Sequence, residues 1–119
     1  GEHHQGAREV MPLFQAGSVS VIQPDLAMMG GLSECLRVAG QAEHFGISVG
    51  PHFLPALFVH LAAAAPNVTW LEDFPLLEPM FDIDVRVDGK QRMAPGDRPG
   101  HGLLWADGAR AEYAVDDEG

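Results

Sequence analysis

Four polar residues placed where strand-like segments end constrain the fold of this chain most strongly. Glu2, Asp25, His52 and Glu72 are separated by 23, 27 and 20 residues, intervals that each hold one strand and one helix. The segments between them follow one order. Val19-Ser20-Val21-Ile22-Gln23 is short and β-branched, and Pro24-Asp25 ends it. Gly30-Gly31 then turn the chain into a predicted helix from about Leu32 to Phe45. Leu32, Cys35, Leu36, Ala39 and Ala42 form its apolar face, Ser33, Glu34, Arg37, Gln41 and His44 its polar one, and Gly46 takes the C-cap region. The next unit repeats this grammar. Ile47-Ser48-Val49 reads as a strand with Gly50-Pro51-His52 as its exit. Pro55 opens a helix that Pro66 stops. Val68-Thr69-Trp70-Leu71 reads as a third strand ending at Glu72-Asp73. Upstream, Arg8 to Ala16 is predicted helical, with a late start or a kink at Pro12.

Strands that alternate with helices of this length predict right-handed βαβ units, a parallel sheet and the α/β class. In a parallel barrel the C-terminal strand ends converge on one mouth, so residues at successive exits face a common pocket. A single loop Asp or His is most often a cap or a surface group; four in phase with the strand period are a less frequent accident. The tail changes character. Ile83, Val85 and Val87 alternate with polar residues, and Asp88-Gly89 signals a hairpin turn before Lys90 to Met93. Pro95 to Gly102 reads as loop, and Asp116 to Glu118 as a solvated acidic end. The expected division is a partial barrel over 1–80 and a tail over 81–119 that packs on the barrel or on a capping domain.

Charge narrows the function classes. Seven basic and seventeen acidic residues leave a formal charge of −10, the opposite of the basic footprint that nucleic-acid binding requires. Hydrophobic residues make up 46% of the 119, enough for a core, yet no run approaches the ~18 apolar residues of a membrane span. Phe53 to Ala65 comes nearest and is interrupted by Pro55 and His60. No signal-peptide pattern is present. The single cysteine, Cys35, excludes an internal disulfide, fits a reducing cytoplasm and reads as a small buried hydrophobe. The chain opens on Gly1 without an initiator methionine, so truncation is expected.

Gly1-Glu2, Gln23-Pro24-Asp25 with Gly30-Gly31, Pro51-His52, Trp70-Leu71-Glu72 and Arg98-Pro99-Gly100-His101-Gly102 together resemble the C-terminal part of the barrel domain in the enolase superfamily, specifically its mandelate racemase-like group. The resemblance covers essentially the whole chain. It implies the C-terminal half of a (β/α)7β TIM-like barrel, from the fifth strand exit through the eighth strand, with a hairpin and loop tail. It also implies roles. Glu2 resembles the fifth-strand glutamate that ligates an essential Mg²⁺. His52 resembles the seventh-strand histidine base, Asp25 the sixth-strand aspartate paired with it, and Glu72 the eighth-strand glutamate that bonds the substrate carboxylate. His3 stands where the family usually has asparagine, which makes it a candidate substrate contact. A lysine base, the remaining metal ligands and a capping domain are expected in a further N-terminal segment. The whole enzyme is expected to be a homo-oligomer.

The chemistry implied is removal of a proton α to a carboxylate. That step builds a second negative charge on an anion, which Mg²⁺ offsets as a Lewis acid held by hard oxygen ligands. Enolase-superfamily sites use a Lys or His base with this metal. A histidine is a competent base near neutrality, and a carboxylate on its far nitrogen fixes the tautomer. Glu72 is expected to help most when protonated, donating to the enolate. Acid-sugar dehydration is the first expectation and 2-hydroxy-acid racemisation the second, with a small carboxylate as substrate. A non-enzymatic half that docks onto a complementary half is the third. A zinc hydrolase built on Glu2-His3-His4 and His52 is disfavoured, because adjacent strand residues point to opposite faces. Without the lysine and the other metal ligands the isolated chain is expected to be inactive, and the open sheet edges of a half barrel are expected to make it self-associate or fold poorly.

Overall fold

Two short strands and the helices packed on them carry the core, as the alternating pattern requires. The computed structural model describes residues 1–115; the acidic end Asp116 to Glu118 lies outside the described residues. Strand β1 (Val21–Ile22) pairs in parallel with β2 (Ser48–Val49), Val21 opposite Ser48 and Ile22 opposite Val49. Helix α1 (Ala7–Gln15) precedes β1, and α2 (Leu26–Met29) and α3 (Leu32–His44) follow it. Helix α4 (Pro55–Ala64) follows β2 with Pro55 in its first turn. Ile22 and Val49, on the strand face covered by helices, meet Val10 and Phe14 of α1, Cys35, Val38, Ala39 and Ala42 of α3, and Phe58 and Leu61 of α4 in one buried cluster.

Several elements depart from the expectation. Helix α1 starts at Ala7, ahead of Pro12, so the proline sits inside the helix rather than near its start. The start is anchored from α3: Glu34 Oε1 accepts the Ala7 N–H at 2.9 Å. Pro12 lies on the exposed face, where water can satisfy the carbonyl that its missing N–H leaves free. On α3 the buried stripe is Cys35, Val38, Ala39 and Ala42, while Leu36 is 48% exposed. A stripe at positions i, i+3, i+4 and i+7 leaves the residue next to its first member about 100° away. Helix α2 was not predicted.

The third strand forms only as a bridge. Val68 pairs with Val49, with Val49 N–H donating to Asn67 O at 2.8 Å and Thr69 N–H to Val49 O at 3.3 Å. Trp70 is 78% exposed, while Leu71 packs against the buried core without a strand partner. Asn67 itself ties the layer together, its side-chain amide donating to Ala39 O and Ile47 O at 3.0 and 3.1 Å.

In the tail, the predicted hairpin is present and a second strand pair encloses it. β4 (Val85–Val87) runs antiparallel to β5 (Met93–Pro95), and β3 (Phe81–Ile83) antiparallel to β6 (Leu103–Trp105). Asp88 Oδ1 closes the hairpin by accepting the Lys90 and Arg92 N–H groups at 2.8 and 3.0 Å. Asp84 Oδ2 accepts the Arg98 N–H at 2.6 Å and so shapes the loop before β6. A 3₁₀ turn at Pro75–Met80 and helix α5 (Ala109–Glu112) are additions to the sequence expectation. The tail meets α4 where His60 Nε2–H donates to His101 O at 3.1 Å. Among the described residues, no helix is long and apolar enough to cross a membrane.

Candidate functional site

Asp25 is placed by two structural duties. It bridges to His52 across the sheet, with the His52 N–H donating to Pro24 O at 2.9 Å. It also caps α2, its Oδ1 accepting the Met28 N–H at 2.9 Å. Its second oxygen, Oδ2, lies 3.0 Å from His52 Nδ1. A carboxylate only accepts, so the proton belongs on Nδ1, and Nε2 of the neutral ring carries the free lone pair. That nitrogen faces the other two carboxylates, 3.5 Å from Glu2 Oε2 and 3.9 Å from Glu72 Oε2.

The electrostatics follow from this arrangement. The hydrogen bond that His52 Nδ1–H donates to Asp25 raises the His52 pKa above its ordinary 6.5; burial pulls the other way, and the charges of Glu72, Glu2 and Asp25 add to the rise. Burial would raise Asp25, but the Met28 N–H, His52 and the Ala27 N–H outweigh it and hold Asp25 below its ordinary 3.8. The two shifts agree in sign with an ion pair.

Glu2, Asp25, His52 and Glu72 therefore come together in one cluster, with His52 at its centre. His3 does not join it. Its ring lies 3.6 Å from Glu2 Oε1 and is 86% exposed. His4 turns back, its Nδ1 lying 3.3 Å from the Gly1 carbonyl. Among the described residues, no three His, Cys, Asp or Glu side chains are arranged to hold a metal ion.

Two contributors escaped the sequence reading. The Phe53 N–H donates to Glu72 Oε2 at 2.8 Å. The Phe53 and Phe74 rings meet edge to face with centroids 4.8 Å apart, and lie 6.0 and 6.2 Å from the His52 ring. No local pattern announces either. Pro55 signals an extended Leu54, whereas Leu54 is left-handed at φ 45° and ψ 55°.

Comparison with known proteins places this site in a family. The pattern of the enolase C-terminal domain-like family matches residues 1–109. The L-talarate/galactarate dehydratase of Salmonella typhimurium is 35% identical over 111 residues, which is 92% of this chain and 27% of that enzyme. The crystal structure of L-talarate dehydratase from Polaromonas sp. JS666, complexed with Mg and L-glucarate, superposes with a TM-score of 0.83 at 37% identity, covering 93% of this chain and 31% of that one. A Bradyrhizobium enolase complexed with magnesium and mandelic acid gives a TM-score of 0.84 at 31% identity, covering 97% and 31%. The chain thus spans about 30% of the length of these relatives. By sequence pattern and by fold, this chain belongs to the enolase C-terminal domain-like family of the enolase superfamily.

Proposed function

We propose that this chain supplies the histidine side of an acid-sugar dehydratase site. It would form the C-terminal half of a (β/α)7β barrel, with residues 1–80 as barrel and 81–119 as a tail against it. The observation that carries the reading is the geometry of His52: Nδ1 is held by Asp25 at 3.0 Å, while Nε2 is turned toward Glu2 and Glu72. A ring held in this way presents a lone pair at one place, and its raised pKa strengthens it as a base. After accepting a proton at Nε2, the imidazolium is stabilised by Asp25 and can return the proton to a departing β-hydroxyl. Glu72 would meet the substrate carboxylate.

Glu2 fits Mg²⁺ as one ligand. Its carboxylate offers hard oxygen donors, is about half exposed at 49%, and borders His52. The other ligands would come from a complementary N-terminal segment, consistent with the short coverage of the relatives. Bound there, the ion would offset negative charge on the substrate. The dehydratase relatives complexed with Mg and L-glucarate favour the dehydratase reading.

A racemase of the mandelate type is the second reading. The Phe53–Phe74 pair beside His52 suits an aromatic substrate, and one structural relative holds mandelic acid.

The test joins this chain, by fusion or co-expression, to an enolase-family N-terminal half and supplies Mg²⁺. Acid sugars are assayed for loss of water, and mandelate for α-proton exchange in D₂O. The expected result is Mg²⁺-dependent dehydration, abolished by His52→Asn, with no turnover by the chain alone. Undiminished turnover in the His52→Asn protein would sink the proposal.

A further inference from the structure

Glu72 is the one carboxylate of the cluster that borrows a backbone donor from another loop. Its Oε2 receives the Phe53 N–H at 2.8 Å and faces His52 Nε2 at 3.9 Å. The donor is aimed by an unusual stretch of chain. Phe53 has φ 63° and Leu54 φ 45°, two consecutive non-glycine residues in the left-handed region, the second directly before a proline. Of the described residues outside glycine, only Gln91, in the β4–β5 turn, shares a positive φ. Left-handed backbone is disfavoured for residues with a Cβ, and most of all for β-branched ones. Such strain persists only where its surroundings enforce it. Two contacts do so: the bond to Glu72, and the edge-to-face packing of Phe53 on Phe74, two residues beyond Glu72.

We propose that Phe53 is a positioning residue, and that the left-handed Phe53-Leu54 turn directs its N–H onto Glu72 Oε2 and so holds that oxygen facing His52 Nε2. The turn also follows His52 directly, so one short segment sets the base and the orientation of the carboxylate together. This proposal rests on the reading of Glu72 as the substrate-facing group, and its test separates the two.

The test uses the chain assembled with an enolase-family N-terminal half, with ¹⁵N in residues 1–119 only. Glu72→Gln replaces a charged acceptor by a weaker neutral one of the same shape. The expected result is an upfield movement of the Phe53 amide proton, larger than for any amide outside residues 70–74. An unmoved Phe53 amide overturns the proposal, and this readout needs no turnover. Two substitutions then separate backbone from bulk. Phe53→Gly tolerates a positive φ but loses the ring; Phe53→Ile keeps apolar bulk but resists that φ. Positioning through the backbone predicts that Phe53→Ile lowers kcat by about 10-fold or more with KM little changed, and that Phe53→Gly keeps several-fold more kcat than Phe53→Ile. The reverse order, Ile above Gly, would mean that the ring only packs, and it overturns the proposal. A shifted amide in an inactive assembly leaves the positioning role standing and the dehydratase reading refuted.

Discussion

Replacing Asp25 in two ways measures its two duties separately. Asp25→Ala removes the α2 cap to Met28 and the bond to His52 at once. Loss of a cap costs about 1 kcal/mol, and loss of a hydrogen bond to a charged partner roughly 1.5–3 kcal/mol. Asp25→Ala is therefore expected to destabilise the chain by about 2–4 kcal/mol. Asparagine caps helices as well as aspartate does and still accepts from Nδ1–H, so Asp25→Asn should cost only the charge assistance, about 1 kcal/mol. That smaller cost depends on pH in a defined direction. His52 has a folded pKa above 6.5, so its contribution is fully present below 6.5 and is lost as pH rises through the raised value. Asp25 has a folded pKa below 3.8, so its contribution is present above 3.8 and is lost as pH falls through the lowered value. Both ions contribute between about pH 4 and pH 6.5. Urea unfolding followed by circular dichroism at about pH 5.5 and about pH 8.5 should find the Asp25→Asn cost larger at the lower pH. Equal costs for the two variants, or an Asp25→Asn cost that does not change between the two pH values, would refute the division of roles.

Two further outcomes probe the core beneath the site. Burial, with the charges of Asp25 and Glu34, pushes the Cys35 thiol up to about 11, so a disulfide reagent near pH 8 should label it only as fast as the chain opens, and immediate labelling of folded protein would contradict the packing. Phe58 is fully buried on α4; Phe58→Ala should cost about 3–5 kcal/mol and Phe58→Leu clearly less, and a cost below 1 kcal/mol for alanine would show that α4 does not hold the core.

Much of the architecture was legible because it is written in local patterns. Helix α3 and helix α4 lie within a residue or so of the stretches that apolar spacing, Gly46 and Pro55 mark out. The Asp88-Gly89 turn stands where its chemistry requires. The misreadings have the opposite character. Val68 to Leu71 has the composition of a strand, but a strand needs a partner along its length, and only Val68 and Thr69 find backbone partners in Val49. Leu36 and Val38 are similar in hydropathy, and which of them is buried depends on how α3 rolls against α1 and the sheet.

The candidate site divides along the same line. From the sequence alone come the residue types and their phase: two carboxylates, a histidine and a third carboxylate at strand-exit intervals, with a family resemblance on the same residues. Phase depends on chain length per unit, which is a local property. The tertiary structure decided the rest. It turned His52 so that Nδ1 meets Asp25 and Nε2 meets Glu2 and Glu72. It left His3 in solvent, and it brought the Phe53 amide onto Glu72 through two left-handed residues. Side-chain direction and backbone strain are set by contacts between residues about 20 or more apart, and no spacing rule along the chain contains them.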